Sequence, residues 1–216
     1  MTLALMASSW VMSKDSVRID FAKFDQAMTH QFGEKRLEAG QSWQNLLNGL
    51  APLSDVEKLN RVNRFFHNHL VYRLDSELWG VEDYWATPLE TLGKGLGDCE
   101  DYAIAKYISL RQAGVSDDKL RLIYVKAKIG GPRSSISQAH MVLGYYATPN
   151  SAPLILDSLV STVQPANERT DLSPVFSFNS QGLWAGNKKA STSSTSRLSR
   201  WRKVLDDLAN QGIYLD

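Results

Sequence analysis

Gly97-Asp98-Cys99-Glu100-Asp101-Tyr102-Ala103 contains the only cysteine of this 216-residue chain and has the features of a helix start. Asp98 is a suitable N-cap, and Asp101 follows it by three residues. Ala103, Ile104, Tyr107 and Ile108 then recur at helical spacing. The pattern therefore predicts a helix with Cys99 in its first turn, where free backbone N–H groups and the helix dipole favour a thiolate. A lone cysteine is more often a small buried apolar residue, so this feature alone does not establish a reactive thiol.

Composition limits what the protein can be. The chain has 24 basic and 23 acidic side chains, a net charge of +1 and no dense basic run, so nucleic acid is not expected as a partner. A single cysteine excludes an internal disulfide and a cysteine-based zinc site. No run of about 18 apolar residues is present, so no membrane-spanning helix is expected. Residues 1–10 lack a basic region and a long apolar region, so they are not expected to be an intact signal peptide.

The first third of the chain has helical periodicity. Apolar residues three or four apart predict one helix over residues 20–32 and another over residues 43–50, after a break at Gly40. Ser54-Asp-Val-Glu57 is a capping box, and a long apolar face follows it to residue 70. His67 and His69, near the end of this third helix, are two residues apart and do not share a face, so a metal-binding pair is not expected.

The segment from Tyr72 to Gly97 has no clear period and is rich in aromatic residues. It is interpreted either as a loop packed over the core by its own tryptophans or as the wall of a cleft beside the cysteine. The helix that starts at Cys99 is expected to end near Gly114, a good residue to follow a helix.

After Gly114 the pattern changes to β-strands, at residues 120–128, 139–146 and 154–159, with a fourth at 175–178. Short connections favour an antiparallel meander. Residues 188–196 are of low complexity and predict a mobile segment. A final amphipathic helix follows, and it is expected to dock on the body of the same chain rather than on another chain.

These patterns predict an α+β fold in which an N-terminal helical lobe packs with an antiparallel β-sheet lobe. The expected units are an N-terminal extension over residues 1–19 and one catalytic domain over residues 20–187. Within that domain the helical part is residues 20–114 and the sheet part residues 119–187. A flexible linker over residues 188–197 and a C-terminal helix over residues 198–216 complete the chain.

A cysteine nucleophile needs a base to take its proton and a third group to orient that base. Of the four histidines, only His140 lies on a strand after the cysteine helix. Asp157 interrupts the next apolar strand, where an acid needs a partner to offset its desolvation. A histidine on an apolar strand is usually a satisfied core residue. The combination of Cys99, His140 and Asp157 is more specific than any one of them, and it predicts a catalytic triad.

The chain resembles the bacterial transglutaminase-like cysteine proteinases, in particular those of the LapG type. The resemblance covers roughly residues 54–159, and its most specific part is Gly97-Asp-Cys-Glu-Asp-Tyr-Ala-Ile-Ala-Lys106. Further matching motifs are Trp79-Gly80, Asp83-Tyr-Trp-Ala-Thr-Pro88, Ala139-His-Met-Val-Leu143 and Ile155-Leu-Asp-Ser158.

The resemblance implies a papain/transglutaminase-like fold in which Cys99 is the nucleophile, His140 the general base and then acid, and Asp157 the group that orients His140. It also implies a periplasmic, calcium-dependent protease. Such an enzyme cleaves large repeat-containing surface adhesins near their N-terminus, next to an Ala-Ala/Gly-type site, and so releases biofilm cells. An inner-membrane cyclic-di-GMP receptor is the implied sequestering partner.

The acidic neighbours of Cys99 oppose its activation, because carboxylates within about 4 to 6 Å raise the pKa of a thiol. A bound calcium ion would neutralise them. In the family the acids that flank the cysteine are calcium ligands, and these correspond to Asp98 and Glu100. Asp101 and Asp83 are additional candidate ligands. The ligand spacing of a 12-residue calcium loop is missing.

Trp85 is a candidate side-chain donor to the oxyanion, beside the backbone N–H groups at the helix start. Two other functions remain open from the residues. The same triad would form the same thioester in an acyltransferase that passes the acyl group to an amine. The chain could also be a binding module that keeps the fold without turnover, in which case the thiol would be buried and inert.

Overall fold

The computed structural model describes residues 17–186, 188–189 and 199–215. Its helices are α1 Phe21–Phe32, α2 Leu37–Asn48, α3 Asp55–His69, α4 Asp75–Leu78, α5 Pro88–Lys94, α6 Cys99–Gln112 and α7 Ser199–Asn210. Its strands are β1 Val17–Ile19, β2 Val71–Tyr72, β3 Leu96–Gly97, β4 Leu120–Lys128, β5 Ser137–Tyr145, β6 Leu154–Leu156, β7 Gln164–Pro165, β8 Leu172–Asn179, β9 Gly182–Ala185, β10 Lys188–Lys189 and β11 Ile213–Leu215. The predicted α+β class, with a helical part followed by an antiparallel sheet, is confirmed.

Helix α6 is the centre of the molecule. Its residues from Cys99 to Arg111 are all buried, because α3 and α5 pack on it from one side and β5 from the other. A helix that is enclosed on all sides has few ways to shift. The fold therefore holds the start of α6, and the cysteine on it, in a fixed position against the sheet.

The third helix confirms its predicted capping box. The Ser54 hydroxyl accepts a hydrogen bond from the Glu57 N–H, and the Glu57 carboxylate accepts one from the Ser54 N–H. The break expected at Gly40 is wrong, because α2 runs through that residue. The chain breaks instead at Gly33, whose φ of 82° favours glycine. Gly40 has a packing role, since a Cβ there would lie 3.1 Å from the Phe24 ring.

The segment between Tyr72 and Gly97 is more regular than expected. It contains α4 and α5, and α5 starts with a capping box of Thr87 and Glu90 and a proline at its first turn. The sequence Thr87-Pro-Leu-Glu90 carries this signal. The segment is rich in aromatic residues and has no clear period, so this short helix was not predicted.

The close packing of α5 gives a stability prediction. A Cβ at Gly93 would lie 2.3 Å from the ring of Phe32. Alanine normally stabilises a helix relative to glycine by about 1 kcal/mol, but here overpacking should reverse the sign. We expect Gly93→Ala to lower the free energy of unfolding by about 1 to 3 kcal/mol in chemical denaturation. Gly49→Ala is the control, since its added Cβ meets nothing closer than 3.5 Å; an equal loss there would contradict the packing argument.

The main sheet has the strand order β10-β9-β8-β4-β5-β6-β7, and its pairs are antiparallel. Strands β4, β5 and β6 follow one another as predicted. The predicted antiparallel meander is confirmed for β4, β5 and β6, whereas β8 does not extend it but returns to pair with β4. The third strand ends at Leu156 rather than at residue 159, so Asp157 lies just beyond it.

The two ends of the described chain pair with each other. Strand β1 is antiparallel to β11, with Val17 opposite Leu215, so residues 17–19 join the fold although the domain was expected to begin at residue 20. Helix α7 packs on the body through Trp201, whose ring lies 5.8 Å from Tyr107 and 5.7 Å from Phe178. Of the expected linker, Lys188–Lys189 form β10 and residues 190–197 lie outside the described residues, as do residues 1–16. Within the described ranges, no helix is long and apolar enough to cross a membrane.

Candidate active site

Cys99 is the first residue of α6, directly after the N-cap residue Asp98. The carboxylate of Asp101 accepts hydrogen bonds from the Asp98 N–H at 3.3 Å and from the Ala86 N–H at 2.7 Å. These bonds tie the start of α6 to the segment before α5. The structure thus places Cys99 in the first turn, as predicted, with its side chain 6% exposed.

His140 and Asp157 are in contact. His140 lies on β5, and its Nε2 is 2.7 Å from Asp157 Oδ1. The second carboxylate oxygen of Asp157 accepts a hydrogen bond from Arg169 Nη2 at 2.6 Å, and Oδ1 also accepts the Leu159 N–H at 2.9 Å. Burial alone would raise the pKa of Asp157, but His140, Leu159 and Arg169 hold it well below its usual range. Asp157 is therefore a carboxylate at neutral pH.

The Cys99 sulfur lies beside the strand that carries His140. Strand β6 pairs with β5 only from Leu143 onward. The backbone N–H of Met141 lowers the pKa of the Cys99 thiol. Met141 follows His140 directly. Because the Nε2 of His140 faces Asp157, Nδ1 is the ring nitrogen that is not bound to that carboxylate.

The acids beside Cys99 suppress its ionisation. Burial raises the pKa of the thiol well above its usual value, and the charges of Glu100 and Asp98 raise it further. The Cys99 sulfur also donates a hydrogen bond to Glu100 Oε2 at 2.7 Å, which favours the protonated form. The Met141 N–H lowers the pKa of the thiol, but it does not offset the increase caused by burial and the acids. A positive charge among these acids would reverse the balance.

Two buried acidic clusters meet at Asp98. One contains Asp98, Cys99 and Glu100, the other Asp75, Asp98 and Asp101, and within each cluster the candidate ligand atoms lie within 4.8 Å of one another. Burial and the neighbouring acids raise the pKa of Asp98 to about 8 and that of Asp75 to about 6, and they raise that of Asp101 well above its usual range. Ionising acids that are buried this close together costs free energy, and a hard divalent cation bound among them offsets that cost.

Unpaired oxygens support the fit to a cation. Oδ1 of Asp75 and Oδ1 of Asp98 are buried and have no hydrogen-bond partner among the described residues. Oxygen ligands with free lone pairs in a buried site suit calcium. Asp75 was missed in the sequence because it lies 23 residues before Asp98. The fold places Asp75 near Asp98, and the Tyr84 N–H donates a hydrogen bond to Asp75 Oδ2 at 2.5 Å.

The structure leaves Asp83 outside both clusters. Its Oδ2 is 3.0 Å from Arg200 Nη2 on α7, so it connects the C-terminal helix to the segment before α5. Trp85 is buried and stacks on Phe178, and its Nε1 has no acceptor among the described residues. A free indole N–H is compatible with the predicted role as an oxyanion donor.

Two further residues hold Asp157 through its backbone. The Asp157 carbonyl accepts hydrogen bonds from Lys106 Nζ at 2.8 Å and from His67 Nε2 at 2.9 Å. Lys106 is on α6, seven residues after Cys99, and is fully buried. It therefore connects the helix of the nucleophile to the residue that orients the base. The only sequence signal was a lysine within an otherwise apolar helix face.

Lys106 gives a second prediction. Burial lowers the pKa of the Lys106 amine to about 7, below its value in the unfolded chain. Between about pH 10 and pH 7 the unfolded chain binds a proton on this amine that the folded chain does not. The free energy of unfolding therefore decreases as the pH falls through that range. We expect Lys106→Met to remove this pH dependence and to lower kcat about fivefold with little change in KM, because a bond of roughly 1 kcal/mol that positions Asp157 is lost. Activity and melting temperature across this pH range test it. The exposed Lys126→Met is the control, and unchanged kcat in Lys106→Met would contradict the positioning role.

Comparisons with known proteins agree with this geometry. A family model described as bacterial transglutaminase-like cysteine proteinase matches residues 34–173. LapG from Legionella pneumophila is similar in structure, with 35% identity and a TM-score of 0.75 over 89% of this chain and 99% of that chain. A calcium-bound structure of Legionella pneumophila LapG gives 36% identity and a TM-score of 0.74 over 88% and 99% of the two chains. No functionally curated protein matches the chain.

Proposed function

Because the chain belongs to the bacterial transglutaminase-like cysteine proteinases and is a cysteine protease, we propose that Cys99, His140 and Asp157 are its catalytic triad. The observation that carries this proposal is the arrangement around β5. His140 Nε2 is bound to Asp157, and the backbone N–H of the next residue along the strand, Met141, lowers the pKa of the Cys99 thiol. The base lies on β5, the orienting acid directly after β6, and the thiol at the start of α6.

The proposed reaction follows from these positions. His140 Nδ1 takes the thiol proton of Cys99, and the sulfur attacks the scissile carbonyl carbon. Backbone N–H groups at the start of α6 and Nε1 of Trp85 stabilise the oxyanion. The tetrahedral intermediate collapses to a thioester as His140 protonates the leaving amine. His140 then deprotonates a water that attacks the thioester, which releases the carboxyl product and returns the proton to Cys99.

Calcium is the proposed cofactor. Asp98 and Glu100 would hold it beside Cys99, with Asp75 and Asp101 as the second group of acids around Asp98. When bound, the ion supplies positive charge that lowers the pKa of the neighbouring thiol. The buried unpaired oxygens of Asp75 and Asp98 support the site, as does the calcium-bound state of the Legionella protein.

The proposed substrate is a large repeat-containing adhesin of the cell surface, cleaved near its N-terminus at an Ala-Ala/Gly-type site in the periplasm. Cleavage would release cells from a biofilm, and an inner-membrane cyclic-di-GMP receptor would sequester the protease. The support for these proposals is the likeness to LapG over most of both chains.

Incubation of the full chain with the N-terminal region of such an adhesin tests the proposed activity. With calcium present, we expect two fragments whose summed mass exceeds that of the substrate by one water, with the new C-terminus at a small-residue pair. A cross-linked or amine-bearing product would indicate acyl transfer instead. An intact substrate with a fully folded enzyme would reject the adhesin as substrate.

A further inference from the structure

A cavity of about 530 Å³ lies on the face of the sheet that carries His140. His140 is directly opposite Val125 in the antiparallel pair β4–β5, so the two side chains share a face. Val125 lines the cavity, while Cys99, His140 and Asp157 do not. Most of the wall is apolar, and its apolar residues include Ile123, Val125, Val142, Ile155, Ala166 and Leu172. The volume is in the range of small-molecule sites.

Arg169 is the charged residue of this wall, which also contains the polar residues Asn150, Ser151 and Ser177. It is 6% exposed, and its Nη2 is bound to Asp157 at 2.6 Å and to Asp171 at 2.8 Å. Its Nη1 is buried and has no hydrogen-bond partner among the described residues. An unsatisfied buried donor costs about 1 to 3 kcal/mol. The cavity is therefore separated from the carboxylate of Asp157 by an arginine that lacks one acceptor.

The charges around Arg169 restrict what that acceptor can be. Two carboxylates, Asp157 and Asp171, already contact the one guanidinium. The acids of this group exceed its cation by one, so a further anion would be repelled while a neutral oxygen would not. Mostly apolar walls with a few placed polar groups are typical of sites for apolar ligands with few polar atoms.

We infer that this cavity binds a neutral, largely apolar ligand through one oxygen, which accepts the hydrogen bond that Arg169 Nη1 lacks. The site is distinct from the thiol and from the acidic clusters. Because the inference concerns binding alone, it does not depend on the proposed substrate.

Three matched probes test the inference on the full chain in calcium: 4-phenylbutanamide, 4-phenylbutanoate and butylbenzene. We expect saturable binding of the amide in NMR titration, with shifts at the cavity residues. The carboxylate and the hydrocarbon should bind at least tenfold more weakly. Equal affinity for the three probes would show that Arg169 does not discriminate between neutral polar, anionic and apolar ligands. Absence of saturable amide binding would reject the site.

Variants place the binding in the cavity. Ala166→Leu adds volume at its wall and should weaken amide binding at least tenfold, whereas Ala147→Leu, at an exposed position outside the lining, should retain the affinity. Arg169→Lys should remove the preference for amide over hydrocarbon. Should Arg169→Lys fail to fold, Ala166→Leu still decides the matter. Unchanged amide affinity in folded Ala166→Leu would overturn the assignment.

Discussion

Cys99→Ala is expected to reduce peptide cleavage by about 10⁴-fold or more, because no other residue of the chain carries a thiol. The loss should appear in kcat, since the covalent intermediate can no longer form. Stability should change little. The substitution removes one sulfur atom from a site where its hydrogen bond to Glu100 and the nearby acids oppose the reactive form.

Turnover of an adhesin fragment, followed by mass spectrometry, measures the effect, and the melting temperature shows that the variant is folded. Cys99→Ser is the size-matched comparison and should also be inactive, because a serine hydroxyl beside these acids ionises even less readily than the thiol. Ser158→Ala, next to Asp157 in the chain but outside the proposed triad, is the control for general disturbance. Cleavage by Cys99→Ala within a hundredfold of the parent would show that another group is the nucleophile.

Local patterns were sufficient for the parts of the site that lie on one element. The N-cap at Asp98 and the helical spacing after it fixed where Cys99 lies in α6, and polar residues in apolar strands pointed to His140 and Asp157. Each of these signals depends on neighbours within a few positions. The return of β8 to β4 was not accessible in this way, because it depends on pairing between strands about 50 residues apart.

The supporting groups were missed for the same physical reason. Asp75, Lys106 and Arg169 reach the site from different elements, and only Lys106, a lysine in an apolar helix face, has a local sequence signal. Their buried charges become interpretable only once the distances to Asp98 or Asp157 are known. A sequence can show that a buried acid needs a partner, but it does not show which of many basic or acidic residues the fold will supply.

Removal of calcium is expected to lower both activity and stability, and the stability loss should grow with pH. Without a cation, the folded pKa values of Asp75 and Asp98 are about 6 and about 8, above their values in the unfolded chain. The folded state then binds more protons than the unfolded state between about pH 4 and pH 8, so its free energy of unfolding decreases as pH rises through that window. Calcium binds the ionised carboxylates and removes this penalty.

Thermal unfolding in calcium and in EGTA, from pH 5 to pH 8, measures the effect. At a calcium concentration 100 times Kd the stabilisation is about 2.7 kcal/mol, which corresponds to roughly 5 to 10 °C in a chain of this length. The difference in melting temperature should be larger at pH 8 than at pH 5. Cleavage in EGTA should fall with it, because the thiol of Cys99 then keeps its raised pKa.

Asp98→Asn is the decisive variant, because Asp98 is shared by both acidic clusters and asparagine caps a helix as well as aspartate does. We expect this variant to be insensitive to EGTA and, in EGTA, to be more stable than the parent at pH 8, since it lacks a carboxylate whose pKa burial and the neighbouring acids raise to about 8. The exposed Asp118→Asn should retain the full calcium response. A calcium response in Asp98→Asn equal to that of the parent would place the ion elsewhere, and a parent that is indifferent to EGTA would reject the metal site. Either result would mean that no cation at Asp98 offsets the effect of the acids on the pKa of the Cys99 thiol.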